Sequence, residues 1–599
     1  MHARRATIAG TAEYGYRYWG FPFSCKLAAM RLPRTLCPRR LSATILLGIS
    51  LYSILPWLTP IAFASAYNAH PKLVVVIVID QFRGDYLERY REQFGEGGFR
   101  VFLDRGAYFS DCNYDYANTR TAPGHATLFT GSYTSGHGIV ANEWWDPQKK
   151  KRVTSVEDDA TQLVGSSKTG PGASPYNLMS DTLGDELKLA TYGKARVFSV
   201  SLKDRAAVLP AGFSGDGAYW IDPKSGDWIT STYYRAALPE WVGNFNGSHR
   251  AAKFWNREWK DGNGNVLGST APRNGKDGAP AGFYEVIGAT PFANDYQFEF
   301  AKELVLYEKL GAGSATDLLV ISLSANDILG HQVGPDSPQM RGMALELDRS
   351  LAEFFTFLGH QVGMANVWMA LSSDHGVAPL PEFAKTLRLP AANLDAKGMR
   401  EQINSLLSKK YARKADYVLD FDYPLAWLSE EAFAGHKESD AEVDTGEAMK
   451  TVGLTGYFTK SQLAHGETPV TELGRRYAHS YSPEGGWYVM GIPRPFQVGG
   501  TKGTDHATPF SYDTHVPLAF YGLAFQPGIY RTHAEPVDLA VTLASLLGIN
   551  APALATGRVL TEALAQHRLN PPAPASSQPA QPLSQPMPQA LTPPGGGTR

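Results

Sequence analysis

The sequence predicts an α/β fold: a mostly parallel central sheet with helices on both faces and cap insertions over one sheet edge. Two observations carry this. Short, continuously apolar runs recur between residues 67 and 568 without an internal repeat, as suits strands buried on both faces of a parallel sheet. Stretches with helical spacing lie between them, for example at 82–94 and 178–189, and such β-α alternation implies crossover connections.

The runs follow one another in a consistent way. KLVVVIVID is apolar from Leu73–Ile79 and ends at Asp80, and ARVFSVSLKDR ends at Lys203 and Arg205. TDLLVISLSANDILGH ends at Asp327 and His331, and ANVWMALSSDHG at Asp374 and His375. Ligands of parallel sheets bind beyond the carboxyl ends of the strands, so these runs deliver charged side chains to one edge. Two segments break the rhythm: 206–300, rich in Gly, Trp, Tyr and Asn, and 385–470, charged and helical. Both are expected to be insertions capping that edge, where loops carry specificity. Asn246-Gly247-Ser248 formally matches a glycosylation acceptor, a weak signal by itself.

The ends differ in composition from the 67–568 domain. Arg31, Arg34, Arg39 and Arg40 precede the apolar run LSATILLGISLYSILPWLTPIAFASA, which closes on Ala64 and Ala66. Residues 1–66 therefore read as a secretory leader, with Met30 as a second candidate start; Pro56 and Pro60 favour cleavage over a retained anchor. The expected product is exported, periplasmic or secreted, without a stable membrane anchor. Of the three cysteines, Cys25 and Cys37 fall in the leader, so only Cys112 remains and neither a disulfide nor a cysteine zinc site is available to the mature chain. Residues 569–599, built of Pro, Gln, Ser, Ala and Gly, are expected to be disordered. A net charge of −2 offers no basic field for nucleic acid, and a monomer is the expectation.

Asp80, Asp327, His331, Asp374, His375 and the later His506, in GGTKGTDHATPF, form an imidazole and carboxylate inventory that suits zinc and exceeds the needs of one tetrahedral ion. Each piece alone also reads as a hydrogen-bonded turn. Thr121, in ANTRTAPGHATLFTG, has two readings: a helix N-cap, with Pro123 in the first turn, or a nucleophile whose alkoxide a metal stabilises. A helix N-terminus behind it suits an anion.

VIDQFRGDYLERY, TRTAPGHATLFTG, GHGIVANEWWD, SLKDR, NDILGHQVG, SSDHG and GTDHATPFSYDTHVP, in that order across 72–548, resemble the single-chain alkaline phosphatases of the PafA type, in the superfamily that also holds nucleotide pyrophosphatase/phosphodiesterases. The resemblance implies an alkaline phosphatase-like fold and two zinc ions per chain. By position, Thr121 would be the nucleophile that becomes phosphorylated. Asp80, Asp374 and His375 would hold the zinc next to it, and Asp327, His331 and His506 the other. Asn142, Lys203 and Arg205 would hold phosphoryl oxygens, as an amide donor, a point charge and a planar fork can. His506 is preferred to His515, which leads into an apolar run, and Ala507 stands where the family pattern has Gly. His125 is assigned to packing or to support of the ligands.

The activity implied is hydrolysis of small phosphate monoesters to inorganic phosphate at alkaline pH. A phosphodiesterase or nucleotide pyrophosphatase on the same scaffold is the alternative, and the cationic pair Lys203 and Arg205 argues for the more highly charged monoester. A sulfatase is disfavoured, because His125 stands where that branch needs Arg. An exported binding protein without turnover has no missing catalytic part to recommend it.

Overall fold

In the computed structural model, which describes residues 70–167, 169–275 and 280–565, strand β1 (Leu73–Ile79) runs through an eleven-stranded sheet. Its residues are all buried, and alternate side chains enter different cores. Leu73, Val75, Ile77 and Ile79 join one hydrophobic cluster, and Val74, Val76 and Val78 another. Such a strand needs a cover on each face. Phe298 and Phe354, from helices Pro291–Tyr307 and Pro338–Gln361, cover the first; Leu187 and Leu543, from helices Leu183–Ala190 and Asp538–Leu547, cover the second. Each buried aliphatic side chain contributes about 1.5–3 kcal/mol, so the layered α/β arrangement follows from the run itself.

The neighbouring strands are β2 (Val197–Ser201), β3 (Gly217–Ile221), β4 (Asp317–Leu323), β5 (Val367–Ser372) and β6 (Leu518–Tyr521). Their order is β6-β5-β1-β4-β2-β3. All are parallel except β6, which runs antiparallel to β5. Ile79 pairs with Leu323, Val78 with Ser372 and Ser201 with Ser322. One to four residues past these pairs, Asp80, Asp374, Lys203 and Asp327 therefore emerge at one edge.

Several local expectations change. The 82–94 stretch holds only helix Tyr86–Arg89 and a 3-10 turn at Arg91–Gln93, because Phe82, Tyr86, Tyr90, Phe94 and Phe99 form an aromatic cluster that fixes the chain without a continuous helix. The helix expected at 178–189 is Leu183–Ala190, started by a capping box between Thr182 and Asp185. The first third of 206–300 is sheet rather than cap: β3 pairs with β2, and strand Trp228–Ser231 pairs with β3, through the buried Trp220, Trp228 and Ile229. The 385–470 segment is helical at Ala396–Lys410 and Glu438–Thr451, and also carries strands of a four-stranded antiparallel sheet with its own core around Phe421, Phe433 and Met449. The Asn246 side chain bonds to both backbone groups of Trp228 at 2.9 Å, which pins its amide along that strand.

Cys112 is buried and makes no disulfide. Among the described residues no helix is long and apolar enough to cross a membrane. The leader at 1–66 and the tail at 569–599 lie outside the described residues.

Candidate active site

Thr121 is the first residue of helix α1 (Thr121–Thr130), Arg120 holds the N-cap position, and no side chain caps the helix. The capping role is therefore not what places this threonine. The helix lies against the end of β5 through Gly124, where a Cβ would come within 2.2 Å of the Asp374 carbonyl oxygen. Only glycine permits that approach. His125, one turn on from Thr121, reaches the Thr121 carbonyl at 2.8 Å, Ser322 at 2.7 Å and Asp374 Oδ2 at 3.3 Å, tying helix to ligand candidate. Asn142 accepts a hydrogen bond from the Ala122 N–H at 2.8 Å, so its amide sits beside Thr121.

Asp327 and His331 lie one turn apart on helix α3 (Ala325–Val333), after α2 (Asp204–Ala211), with His331 Nε2 3.1 Å from Asp327 Oδ1. Three groupings of donor atoms within 4.8 Å of one another result: Asp80, Asp374 and His375; Asp327, His375 and His506; His331, Asp505 and His506. His375 and His506 stack with ring centroids 3.7 Å apart, which makes the groupings one continuous site.

The three imidazoles share one device. His375 Nδ1 lies 2.9 Å from the Gly376 carbonyl, His331 Nδ1 2.8 Å from that of Thr504, and His506 Nδ1 2.6 Å from that of Thr119. A carbonyl only accepts, so each Nδ1 carries a proton and Nε2 is the nitrogen turned toward the carboxylates. Around His375, the buried atoms Nε2, Asp80 Oδ1 and Asp374 Oδ2 have no hydrogen-bond partner among the described residues, and Nε2 stands 3.5 and 3.6 Å from the two oxygens. Donors about 2.0–2.2 Å from a tetrahedral ion stand about 3.3–3.6 Å apart, so this set fits zinc in spacing and in chemistry.

Lys203, the N-cap of α2, places Nζ 2.6 Å from both Asp80 Oδ2 and Asp327 Oδ2. Arg205 lines the same cavity of about 340 Å³ as Lys203, and its ion-pair partner is the neighbouring Asp204 at 3.7 Å. Burial, then Asp327 and Asp374, pushes the Asp80 carboxyl well above the usual range. Burial opposes charge on Asp327 as well, but Lys203 and His331 outweigh it and hold that carboxyl well below. Burial alone would lower His331, yet Asp327 drives it up to about 10. Burial pushes His375 down, and burial with the other two imidazoles pushes His506 well down.

His515 stands apart from these groupings, its Nε2 on the Ser110 carbonyl at 3.0 Å. Two participants escape sequence reasoning. Gln81 adopts φ +64° and donates from Nε2 to Asp327 Oδ1 at 2.7 Å and from its backbone to Asp374 Oδ1 at 3.1 Å. Asp505 faces His331 and His506. Its only sequence signal was adjacency to His506.

Residues 74–447 match the type I phosphodiesterase / nucleotide pyrophosphatase family. Alkaline phosphatase PhoV of Synechococcus elongatus is 33% identical over 534 residues, 83% of this chain and 93% of PhoV. Alkaline phosphatase PafA of Elizabethkingia meningoseptica is 33% identical over 524 residues, 82% of this chain and 94% of PafA. The crystal structure of wild-type PafA superposes with a TM-score of 0.74 at 32% identity, covering 83% of this chain and 99% of that one.

Proposed function

This chain belongs to the type I phosphodiesterase / nucleotide pyrophosphatase family and, within it, to the PafA-type alkaline phosphatases, and from that membership we propose an exported two-zinc phosphomonoesterase that works through a phosphothreonine at Thr121. It is a phosphoric monoester hydrolase acting on small phosphate esters. The observation that carries the finer reading is the convergence of Thr121, three proton-fixed imidazoles and three carboxylates at one sheet edge, with the Lys203 ammonium between two of those carboxylates.

Asp80, Asp374 and His375 would hold one zinc, and Asp327, His331 and His506 the other. When bound, the two ions supply Lewis acidity at the attacking and leaving oxygens of an in-line displacement. Thr121 Oγ1 forms the new bond to phosphorus as the bond to the alcohol oxygen breaks, and water then displaces Thr121 to release phosphate. Asn142 donates to one non-bridging oxygen, while Lys203 and Arg205 pair with the rest. Gln81 holds both the Asp327 and Asp374 carboxylates in place, through its side-chain amide and its backbone N–H. Rotation of Asp80 and Asp327 toward metal would free Lys203 for substrate, since its ammonium bridges them otherwise.

The test is steady-state hydrolysis of an aryl phosphate monoester and a matched diester by the purified mature chain, before chelation, after it, and after zinc is restored. Higher kcat/KM for the monoester, lost and then regained, is the expected result. Preference for the diester would transfer the chain to the other branch of its family, and activity indifferent to chelation would remove the metals from the account.

A further inference from the structure

We propose that Arg120 is a positioning residue for Thr121, holding the start of α1 against the tip of a cap hairpin, an inference that rests on the nucleophile reading above. Arg120 directly precedes Thr121 and occupies the N-cap position in extended backbone, at φ −128° and ψ 161°. A long cation is an unfavourable choice there, because an N-cap side chain is ordinarily a short acceptor and a helix N-terminus already carries partial positive charge. Nor does the side chain gain water, being only 4% exposed. The reason for this arginine therefore lies outside the helix.

Its partner is the 385–470 insertion. Strand Val418–Asp422 turns through Tyr423 and Pro424 into strand Leu425–Leu428, with Asp422 paired to Leu425. Arg120 Nη2 donates to the Asp422 carbonyl at 2.9 Å and to the Tyr423 carbonyl at 3.2 Å, and stands 3.1 Å from Asp422 Oδ2. Three oxygens of one turn thus converge on one guanidinium nitrogen, and hydrogen bonds from a charged donor are about twice as strong as neutral ones. The turn is a firm anchor, since the Pro424 carbonyl accepts the Gly491 N–H at 2.8 Å from strand Tyr488–Ile492 of the same cap sheet.

The same cap strand also meets the other wall of the site. Asp420, two residues before Asp422 and so on the same face of the strand, lies 3.1 Å from Arg152 Nε. Arg152 also faces Glu143 at 3.2 Å, within the hairpin of strands Glu143–Asp146 and Lys151–Thr154 that begins just after Asn142. Asn142 in turn accepts the Ala122 N–H, so one cap strand braces Thr121 from two sides. The ties are unequal: the Arg152 side chain is 45% exposed, and exposed ion pairs contribute little. The hold on the nucleophile runs chiefly through the buried Arg120. It fixes where Thr121 Oγ1 stands, whereas Asn142, Lys203 and Arg205 hold the phosphoryl group, and a nucleophile displaced by about 1 Å loses on the order of 100-fold in rate.

The test uses the full mature chain, loaded with zinc, and its Arg120→Ala, Arg120→Lys and Asp422→Asn variants. The readouts are kcat and KM for an aryl phosphate monoester, inhibition by inorganic phosphate, and amide hydrogen exchange in the first turn of α1. Arg120→Ala should lower kcat by about 10- to 100-fold, leave KM and phosphate inhibition within about threefold, and speed exchange of the Ala122 and Gly124 N–H groups. Arg120→Lys, which still reaches an acceptor, should recover part of kcat, and Asp422→Asn, which keeps both carbonyls, should cost less than Arg120→Ala; these two carry the same comparison if Arg120→Ala does not fold. A raised KM and weaker phosphate inhibition at unchanged kcat would overturn the inference and make Arg120 a substrate contact. Unchanged kcat with unchanged exchange would overturn it as well. Faster exchange at unchanged kcat would instead defeat the reading beneath it, because the tie would be real and Thr121 would not be the nucleophile.

Discussion

Lys203 and Arg205 have the same proposed task but different surroundings, and this decides which is the better probe. Lys203 also neutralises Asp80 and Asp327 at 2.6 Å, so its removal disturbs the metal ligands as well as substrate. Among the described residues, Arg205 has only Asp204, at 3.7 Å, as an ion-pair partner. Arg205→Ala should lower kcat/KM for a monoester by about 10- to 100-fold, on the order of one charge-assisted hydrogen bond, and a diester much less. Equal losses on both substrates would take Arg205 away from the phosphoryl group. Ala507 presents a different residue-scale case. It holds φ +77°, a conformation that disfavours a Cβ by roughly 1–2 kcal/mol, while glycine loses about 0.5–1 kcal/mol through greater freedom in the unfolded chain. Ala507→Gly should therefore raise the urea midpoint slightly, by up to about 1 kcal/mol of stability; a lowered midpoint would mean that the methyl group packs usefully.

At the scale of elements, β1, β4 and β5 were legible because burial on both faces leaves an unbroken apolar run, and the polar residue that ends each run is the one delivered to the site. Helix boundaries were less legible: at 82–94, aromatic packing replaced the helix that spacing alone suggests. The ligand candidates Asp80, Asp374 and His375 stood next to strand ends, but Gln81 gave no sign of itself, because its part depends on a left-handed backbone and on Gly330, where a Cβ would lie 1.9 Å from Gln81 Oε1. Gly124 was equally silent, since its reason is a neighbour some 250 residues later in the chain, Asp374. The helix Glu438–Thr451 carries its own test. Glu442 is buried, its Oε2 accepts the Ser461 N–H at 3.0 Å, and burial pushes its pKa from 4.5 up to about 7. The neutral acid is thus preferred in the folded state. Stability associated with it is fully present below about pH 4.5, is lost progressively as pH rises to about 7, and stays lost above that. Glu442→Gln keeps an acceptor for Ser461 without the charge, so it should be nearly neutral at pH 4 and stabilising by on the order of 2–3 kcal/mol at pH 9. A pH-independent difference would assign its effect to packing.

Over the whole molecule, the site is drawn from residues 80 to 506, and its donors meet only when the sheet and the loop around Asp505 are in place. An ion bound there stabilises the folded chain and not the unfolded one. Chelation should therefore lower the melting temperature by about 3–5 °C, reversibly with zinc, given a few kcal/mol of binding linkage in a chain of this size. No shift would mean that the groupings do not hold metal in solution. The central claim is a covalent intermediate on Thr121, and the most direct measurement of it is stereochemical: hydrolysis of a phosphate monoester made chiral at phosphorus with oxygen isotopes. Two successive in-line displacements, first by Thr121 and then by water, predict retention of configuration. Inversion would show that water attacks the ester directly and would return Thr121 to a structural place at the start of its helix.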